Sequence, residues 1–158
     1  METRPGTDRQ QWLRGVRWFA LSVAMLLAVA CNDSTNPNGA ELTSRRAQWD
    51  AQHIANYQYD YLLTGFFINY EGRPIRIVVR DGIVQSAVFI DDGLPPSGRA
   101  SDWPTIDQLF DRAETAKTGG ALSRIRYDSR YDFPTQIDIS GPPDAGGSLF
   151  ATNFQVTR

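Results

Sequence analysis

The clearest folding signal in the chain is the stretch IRIVVRDGIVQSAVFI, residues 75–90. Its first six residues alternate between an aliphatic face and a face that carries Arg76 and Arg80, which is the period of a strand with two different environments. Asp81-Gly82 then separates two apolar runs, and both residues tolerate the positive φ of a two-residue hairpin turn. We therefore predict an antiparallel hairpin centred on this turn.

A second alternating segment lies upstream of the hairpin. Tyr57, Tyr59 and Tyr61 share one face of a predicted strand, and Asp60 lies on the other. Two interpretations of the tyrosine face stay open. It is either half-buried core under a helix or an exposed stripe that binds a partner, since tyrosine joins an apolar ring to a polar tip. Trp103, at the end of a proline-rich loop, has the same two interpretations, so all four aromatic residues form a candidate binding face.

Two helices are predicted from apolar spacing. Leu42 and Trp49 fall on one face of the first, and Thr105 with Gln108 resembles a capping box at the start of the second. The predicted elements are a helix over 41–54, strands over 57–68, 75–80 and 83–90, a helix over 106–118, and strands over 122–127, 135–139 and 149–156. This pattern predicts an α+β fold with two helices packed on one face of an antiparallel sheet of about six strands, in the order helix, three strands, helix, three strands. We expect one domain over 41–158.

The N-terminal segment reads as an export signal that ends in a lipid anchor. An arginine-bearing stretch precedes the 13 apolar residues 18–30, and Cys31, the only cysteine, follows at once. Thirteen residues are too few for a bilayer, which needs about 20. We predict a signal peptide over 1–30, acylation of Cys31 as the membrane anchor, and a flexible tether over 31–40. A secretory signal with an unmodified thiol and a permanent membrane span are the alternatives.

Charge and composition exclude several classes of function. Four of the 16 basic and two of the 18 acidic residues precede Cys31, so the remainder carries a net charge of −4 without any basic block. We therefore expect no nucleic-acid partner. The only histidine, His53, is predicted to pack on or cap the first helix, and no glycine-rich phosphate loop is present. We predict no catalytic residue, no metal and no cofactor.

Four short motifs resemble one protein family. They are Asn56-Tyr57-Gln58-Tyr59, then Ile77 to Val84 (IVVRDGIV), then Thr105 to Phe110 (TIDQLF), and last Arg126-Tyr127-Asp128 followed by Phe133 to Asp138 (FPTQID). In this order they resemble a family of bacterial lipoproteins with a domain of unknown function (DUF6174), and Leu27 to Cys31 (LAVAC) resembles a lipobox. The chain departs from the family twice: residues 62–67 lack a pair of cysteines, and Asp132 stands where relatives tend to have glycine. The resemblance implies a cell-envelope lipoprotein that faces the periplasm or the exterior, and it implies no activity.

Three hypotheses about function follow, of which the third is a purely structural spacer that would show neither a pocket nor an apolar patch. The first is a non-catalytic module that binds a protein or peptide partner in the cell envelope. The alternative is an envelope hydrolase built on carboxylates. The hydrolase requires a concave pocket with two or more buried, clustered Asp or Glu side chains whose pKa values are raised.

Overall fold

The computed structural model describes residues 37–65, 72–141 and 146–158. These residues form two α-helices, one short 3₁₀ helix at Ala100–Asp102 and six strands. In chain order the main elements are α1 (Pro37–Asp50), β1 (Tyr57–Gly65), β2 (Ile75–Arg80), β3 (Ile83–Phe89), α2 (Ile106–Thr118), β4 (Leu122–Tyr127), β5 (Pro134–Ile139) and β6 (Gly147–Val156). The α+β class and the predicted order of elements are confirmed. Of the described helices, neither is long and apolar enough to cross a membrane.

The six strands form one antiparallel sheet in the order β3-β2-β1-β6-β5-β4. Its centre joins β1 to β6, in a register that runs from Tyr57 opposite Val156 to Gly65 opposite Gly147. Gly65 must be glycine, because its φ is 118° and an added Cβ would lie 2.5 Å from the carbonyl oxygen of Gly146. The first and last strands therefore meet in the middle of the sheet.

The predicted hairpin is confirmed. Asp81 has a φ of 49° and Gly82 a φ of 74°, so both central residues of the turn adopt the left-handed conformation that a type I′ hairpin requires. The turn is also held from outside, since the Asp81 N–H donates to the side-chain oxygen of Asn56 at 2.9 Å. The local sequence therefore sets the pairing of β2 with β3.

The bounds predicted for the first helix are wrong. It begins at Pro37 and ends at Asp50, four residues early at each end, so residues 37–40 of the predicted 31–40 tether are helical. Proline suits the first helical position, where its missing N–H costs no hydrogen bond. At the other end His53 has a φ of 50°, which a helix cannot continue, and its side chain is exposed. Cys31 and the rest of the tether lie outside the described residues.

The predicted capping box at the start of α2 is confirmed. The Gln108 N–H donates to the Thr105 hydroxyl at 3.2 Å, and the Thr105 N–H donates to the Gln108 side-chain oxygen at 2.8 Å. Two of the four N–H groups that a helix start leaves without partners are thereby satisfied. The face of α2 that is turned to the sheet is apolar and buried, as the spacing of its apolar residues predicted.

The tyrosine face lies in the core beneath the helices. Tyr57, Tyr59 and Tyr61 are at most 2% exposed, and Trp103 is 4% exposed. The Tyr57 hydroxyl accepts from the Ile106 N–H at the start of α2, and burial raises the pKa of Tyr57. The hypothesis of an exposed binding face is therefore wrong, because these side chains fill the space between the sheet and α2.

The second helix-to-sheet contact is made by α1. The Trp49 ring packs edge-on against Tyr57, with ring centroids 5.8 Å apart, and against Phe133, just before β5, and Phe154 of β6. Its indole N–H donates to the Asp107 carboxylate on α2 at 3.0 Å. Both helices thus cover the same face of the sheet, and no helix formed by the described residues covers the opposite face.

Candidate functional site

The side of the sheet away from α1 and α2, called here the helix-free face, carries most of the strands' polar side chains. Two residues that are paired across neighbouring strands lie on the same face of the sheet. Asp60 is paired with Arg76 on this face, and Arg124 is paired with Asp138. The face includes Gln58, Asp60, Leu62 and Thr64 of β1, Arg76, Val78 and Arg80 of β2, Ile83, Ser86 and Val88 of β3, Arg124 and Arg126 of β4, Gln136 and Asp138 of β5, and Ser148, Phe150, Thr152 and Gln155 of β6.

Asp60 is the feature of this face that packing alone does not explain. It is 5% exposed and is the one charged side chain in the buried class among the described residues. Arg76 donates to both of its carboxylate oxygens, from Nε at 2.8 Å and from Nη2 at 3.1 Å. The Asn153 amide donates to it at 2.7 Å. The carboxylate is therefore held by three hydrogen bonds, two of them from a cation.

A bulge in β6 supplies the third of these bonds. Asn153 and Phe154 together stand opposite the single residue Tyr59, and Asn153 has a φ of 52°. The extra residue shifts the in-and-out alternation of the β6 side chains by one position. As a result Phe154 packs in the core against Trp49, and the Asn153 side chain reaches Asp60. Asparagine is among the few residues with a side chain that adopt this conformation at low cost.

A small pit opens beside Asp60 on the helix-free face. It has a volume of about 240 Å³ and is lined by Leu62 and Phe150, by Pro74 and Thr152, by the Asp60 carboxylate, and by Tyr61. Leu62 and Phe150 stand opposite each other across β1 and β6, so the pit has apolar walls. Its floor is polar because Asp60 lies there.

The helix-free face also carries an excess of positive charge. It holds Arg76 and Arg80 on β2 and Arg124 and Arg126 on β4, against the carboxylates of Asp60 and Asp138. No Asp or Glu side chain of the described residues pairs with Arg80 or Arg126. Arg80 donates to the Thr157 hydroxyl and, at 3.4 Å, to the main-chain oxygen of Arg158. The arginine pair on β2 and the arginine pair on β4 are separated by the strands β1, β6 and β5.

Several arginines elsewhere on the domain are paired with acidic neighbours, although Arg112 and Arg130 form no ion pair among the described residues. Arg45 and Arg46 on α1 each bind two acidic side chains, and Arg73 binds Asp91 and Asp92. Bonding to Arg73 lowers the pKa of Asp91. The part of the chain after Cys31 is acidic as a whole, so the positive excess of the helix-free face is a local property.

The carboxylates do not match the hydrolase hypothesis. Burial raises the pKa of Asp138, but hydrogen bonds from Gln136 and Ser148 and the charges of nearby arginines outweigh it, and the net shift is downward. Of the described carboxylates whose pKa departs from its usual value, none moves upward. The described residues hold no group of three His, Cys, Asp or Glu side chains that could bind a metal ion. Asp60 has Arg76, not a second acid, beside it.

Two larger depressions lie away from this face. One of about 630 Å³ lies at the C-terminal half of α2 and has mainly aliphatic walls from Leu63, Ala116, Ile139 and Leu149. The other, of about 360 Å³, lies between the ends of the helices and includes His53. Neither contains a charged side chain that is buried, so neither has the pre-arranged polar group of the Asp60 pit.

The comparison with known proteins agrees with the motifs. A family model described as "Family of unknown function (DUF6174)" matches residues 41–156. The chain belongs to this family. The match covers both helices and all six strands except the first residues of α1, so the DUF6174 domain is the fold described above. No curated protein and no solved structure matches the chain.

The helix-free site was visible in part from the sequence. The alternation of residues 75–80 places Arg76 and Arg80 on one face, and Asp60 lies opposite the tyrosines in the same way. The missing information was which face the helices cover, because tyrosine is common both in cores and at interfaces. Predicting Arg76 as the partner of Asp60 also requires the β1–β2 register, and predicting the Asn153 contact requires the bulge in β6. Neither the register nor the bulge follows from the alternation of residues.

Proposed function

We propose that this DUF6174 protein is an exported, lipid-anchored protein of the cell envelope whose helix-free face binds an acidic surface of a protein or peptide partner. The observation that carries the proposal is the excess of arginine on that face of an otherwise acidic domain. Arginine is enriched where proteins meet, and its planar guanidinium pairs with carboxylates through two parallel bonds.

Electrostatics favours this face for recognition. Exposed pairs contribute little free energy, about 0–1 kcal/mol each, so four arginines mainly select an acidic partner and speed its approach. Arg126 has no described carboxylate to give up when it binds, and Arg80 gives up only its bonds to Thr157 and to the main-chain oxygen of Arg158. The central glutamines add hydrogen-bonding groups, since Gln58 donates to Gln155 at 3.0 Å and the pair faces outward. The face is therefore suited to a charged, hydrated interface.

The membrane anchor rests on the sequence around Cys31. A lone cysteine directly after a short apolar run fits acylation better than a free thiol, because an unpaired thiol is a liability in an oxidising compartment. Mass spectrometry of the mature protein tests this. We expect a mature N-terminus at Cys31 with added acyl mass, and an intact N-terminus at Met1 contradicts the anchor.

Site-specific photo-crosslinking in cells that make the protein tests the binding face. A photo-reactive amino acid at Gln155 reports on the helix-free face, and the same amino acid at Thr115 on α2 is the matched control. We expect a discrete adduct from position 155 only, with a partner whose surface is acidic. The adduct should weaken as salt rises, because charges more than about 10 Å apart are screened at 0.1 M ionic strength.

Charge reversal separates this proposal from chance capture. Arg126→Glu together with Arg80→Glu should abolish the adduct, whereas Arg99→Glu in the loop before α2 should leave it unchanged. Adducts of equal yield from both faces, or an adduct that survives the double reversal, contradict the proposal.

A further inference from the structure

We propose that the Asp60 pit is the anchor point of this interface and that it takes an apolar side chain whose neighbour in the partner is a carboxylate. This inference rests on the proposed function and names the partner's chemistry. Two observations carry it: the free hydrogen-bonding capacity of Arg76, and the combination of apolar walls with a fixed polar floor.

Arg76 is held in place by one side of its guanidinium. That group has five N–H donors, of which Nε and one hydrogen of Nη2 bind Asp60. The remaining three donors have no acceptor among the described residues, and the side chain is 43% exposed. Asp60 therefore orients the arginine, and its outer edge presents donors to a ligand carboxylate in a geometry that costs little further ordering.

The pit lies next to this arginine through Asp60, which lines the pit and binds Arg76. Pro74, the residue directly before β2, also lines the pit. A volume of about 240 Å³ corresponds to roughly eight water molecules, at about 30 Å³ each. An aliphatic side chain fits this space and would displace that water from the walls that Leu62 and Phe150 provide.

The polar floor does not oppose an apolar guest. The Asp60 carboxylate already accepts from Arg76 and Asn153, so a guest that cannot donate a hydrogen bond leaves no buried acceptor unsatisfied. A cationic guest is disfavoured because it would meet Arg76. The geometry thus selects an apolar residue beside an acid, where the acid is either an Asp or Glu side chain or the carboxylate of a C-terminal apolar residue.

Titration of the full chain with short peptides, followed by amide and arginine Nε resonances, tests the inference. The first probe contains Leu-Glu within a blocked Gly-Ser peptide, and matched probes replace Glu by Gln or Leu by Ser. A further probe ends in leucine with a free carboxylate. We expect shifts at Leu62, Phe150 and Arg76 with the Leu-Glu or the C-terminal leucine probe. Binding of the Gln and Ser probes should be about tenfold weaker, the effect of one charge-assisted hydrogen bond or one buried side chain.

Three variants locate the binding. Thr152→Trp fills the pit and should abolish binding, while Gln155→Trp places the same ring outside the pit and should retain it. Arg76→Lys keeps the charge but loses the fork, so the preference for Glu over Gln should become smaller. Equal binding of all probes, or a Thr152→Trp variant that binds normally, overturns the inference. If the crosslinked adduct and its sensitivity to Arg80 and Arg126 reversal persist in that case, the proposed function stands without the pit.

Discussion

Removing Arg76 should destabilise the domain more than removing Asp60, although both changes break the same ion pair. The Asp60 side chain is 7% exposed and that of Arg76 is 43% exposed. In Arg76→Ala the carboxylate stays buried with only the Asn153 bond, and loss of one partner of a buried pair costs 3–5 kcal/mol. Because part of this pair reaches water, we expect about 3 kcal/mol. In Asp60→Ala the guanidinium can hydrate, so the cost should be about 1–2 kcal/mol.

Urea denaturation of the full chain measures the difference. With a slope of about 2 kcal/mol per molar urea, Arg76→Ala should lower the midpoint by about 1.5 M and Asp60→Ala by about half as much. Replacing both residues by valine should cost less than Arg76→Ala alone, because an apolar pair leaves no buried charge. Equal losses for the two single variants, or a double variant whose loss equals their sum, would refute this account of Asp60.

Three further outcomes are expected from the same measurement. Thr105→Ala should cost about 1 kcal/mol, since α2 loses its cap. Asp132 has a φ of 63° and binds Arg45. Asp132→Ala and Asp132→Gly both lose this ion pair, but only glycine relieves the strain of the left-handed backbone. Asp132→Gly should therefore be about 1 kcal/mol more stable than Asp132→Ala. Burial raises the pKa of Tyr57, Tyr59 and Tyr127 above the ordinary value near 10, so stability is complete below pH 10 and should fall above it by up to about 4 kcal/mol per pH unit, with Tyr57→Phe flattening the slope.

The sequence predicted best those elements whose conformation is set by neighbouring residues in the chain. Asp81-Gly82 and Thr105 with Gln108 each specify a backbone conformation through their own chemistry, and both predictions are confirmed. The bounds of α1 were wrong because proline and asparagine in residues 32–38 resemble a linker, while proline is also well tolerated at a helix start. Composition does not separate these two cases.

The candidate site could be predicted only in part, because it depends on contacts between distant strands. Alternation assigns Asp60 and Arg76 to faces, but only the β1–β2 register makes them partners. Asp132 is a further feature that was not predicted. Its backbone is left-handed, with a φ of 63°, and no pattern in the sequence led us to expect that conformation.

The pairing of β1 with β6 has a consequence for how the polypeptide acquires its structure. A chain that emerges from its N-terminus can form the β2–β3 hairpin early, but β1 keeps one bare edge until residues 147–156 arrive. Such long-range closure is slow, and an open strand edge invites association with other chains. A nascent or truncated molecule that stops before β6 should therefore be prone to aggregation and sensitive to proteases. The sheet is complete only when the final strand pairs with β1.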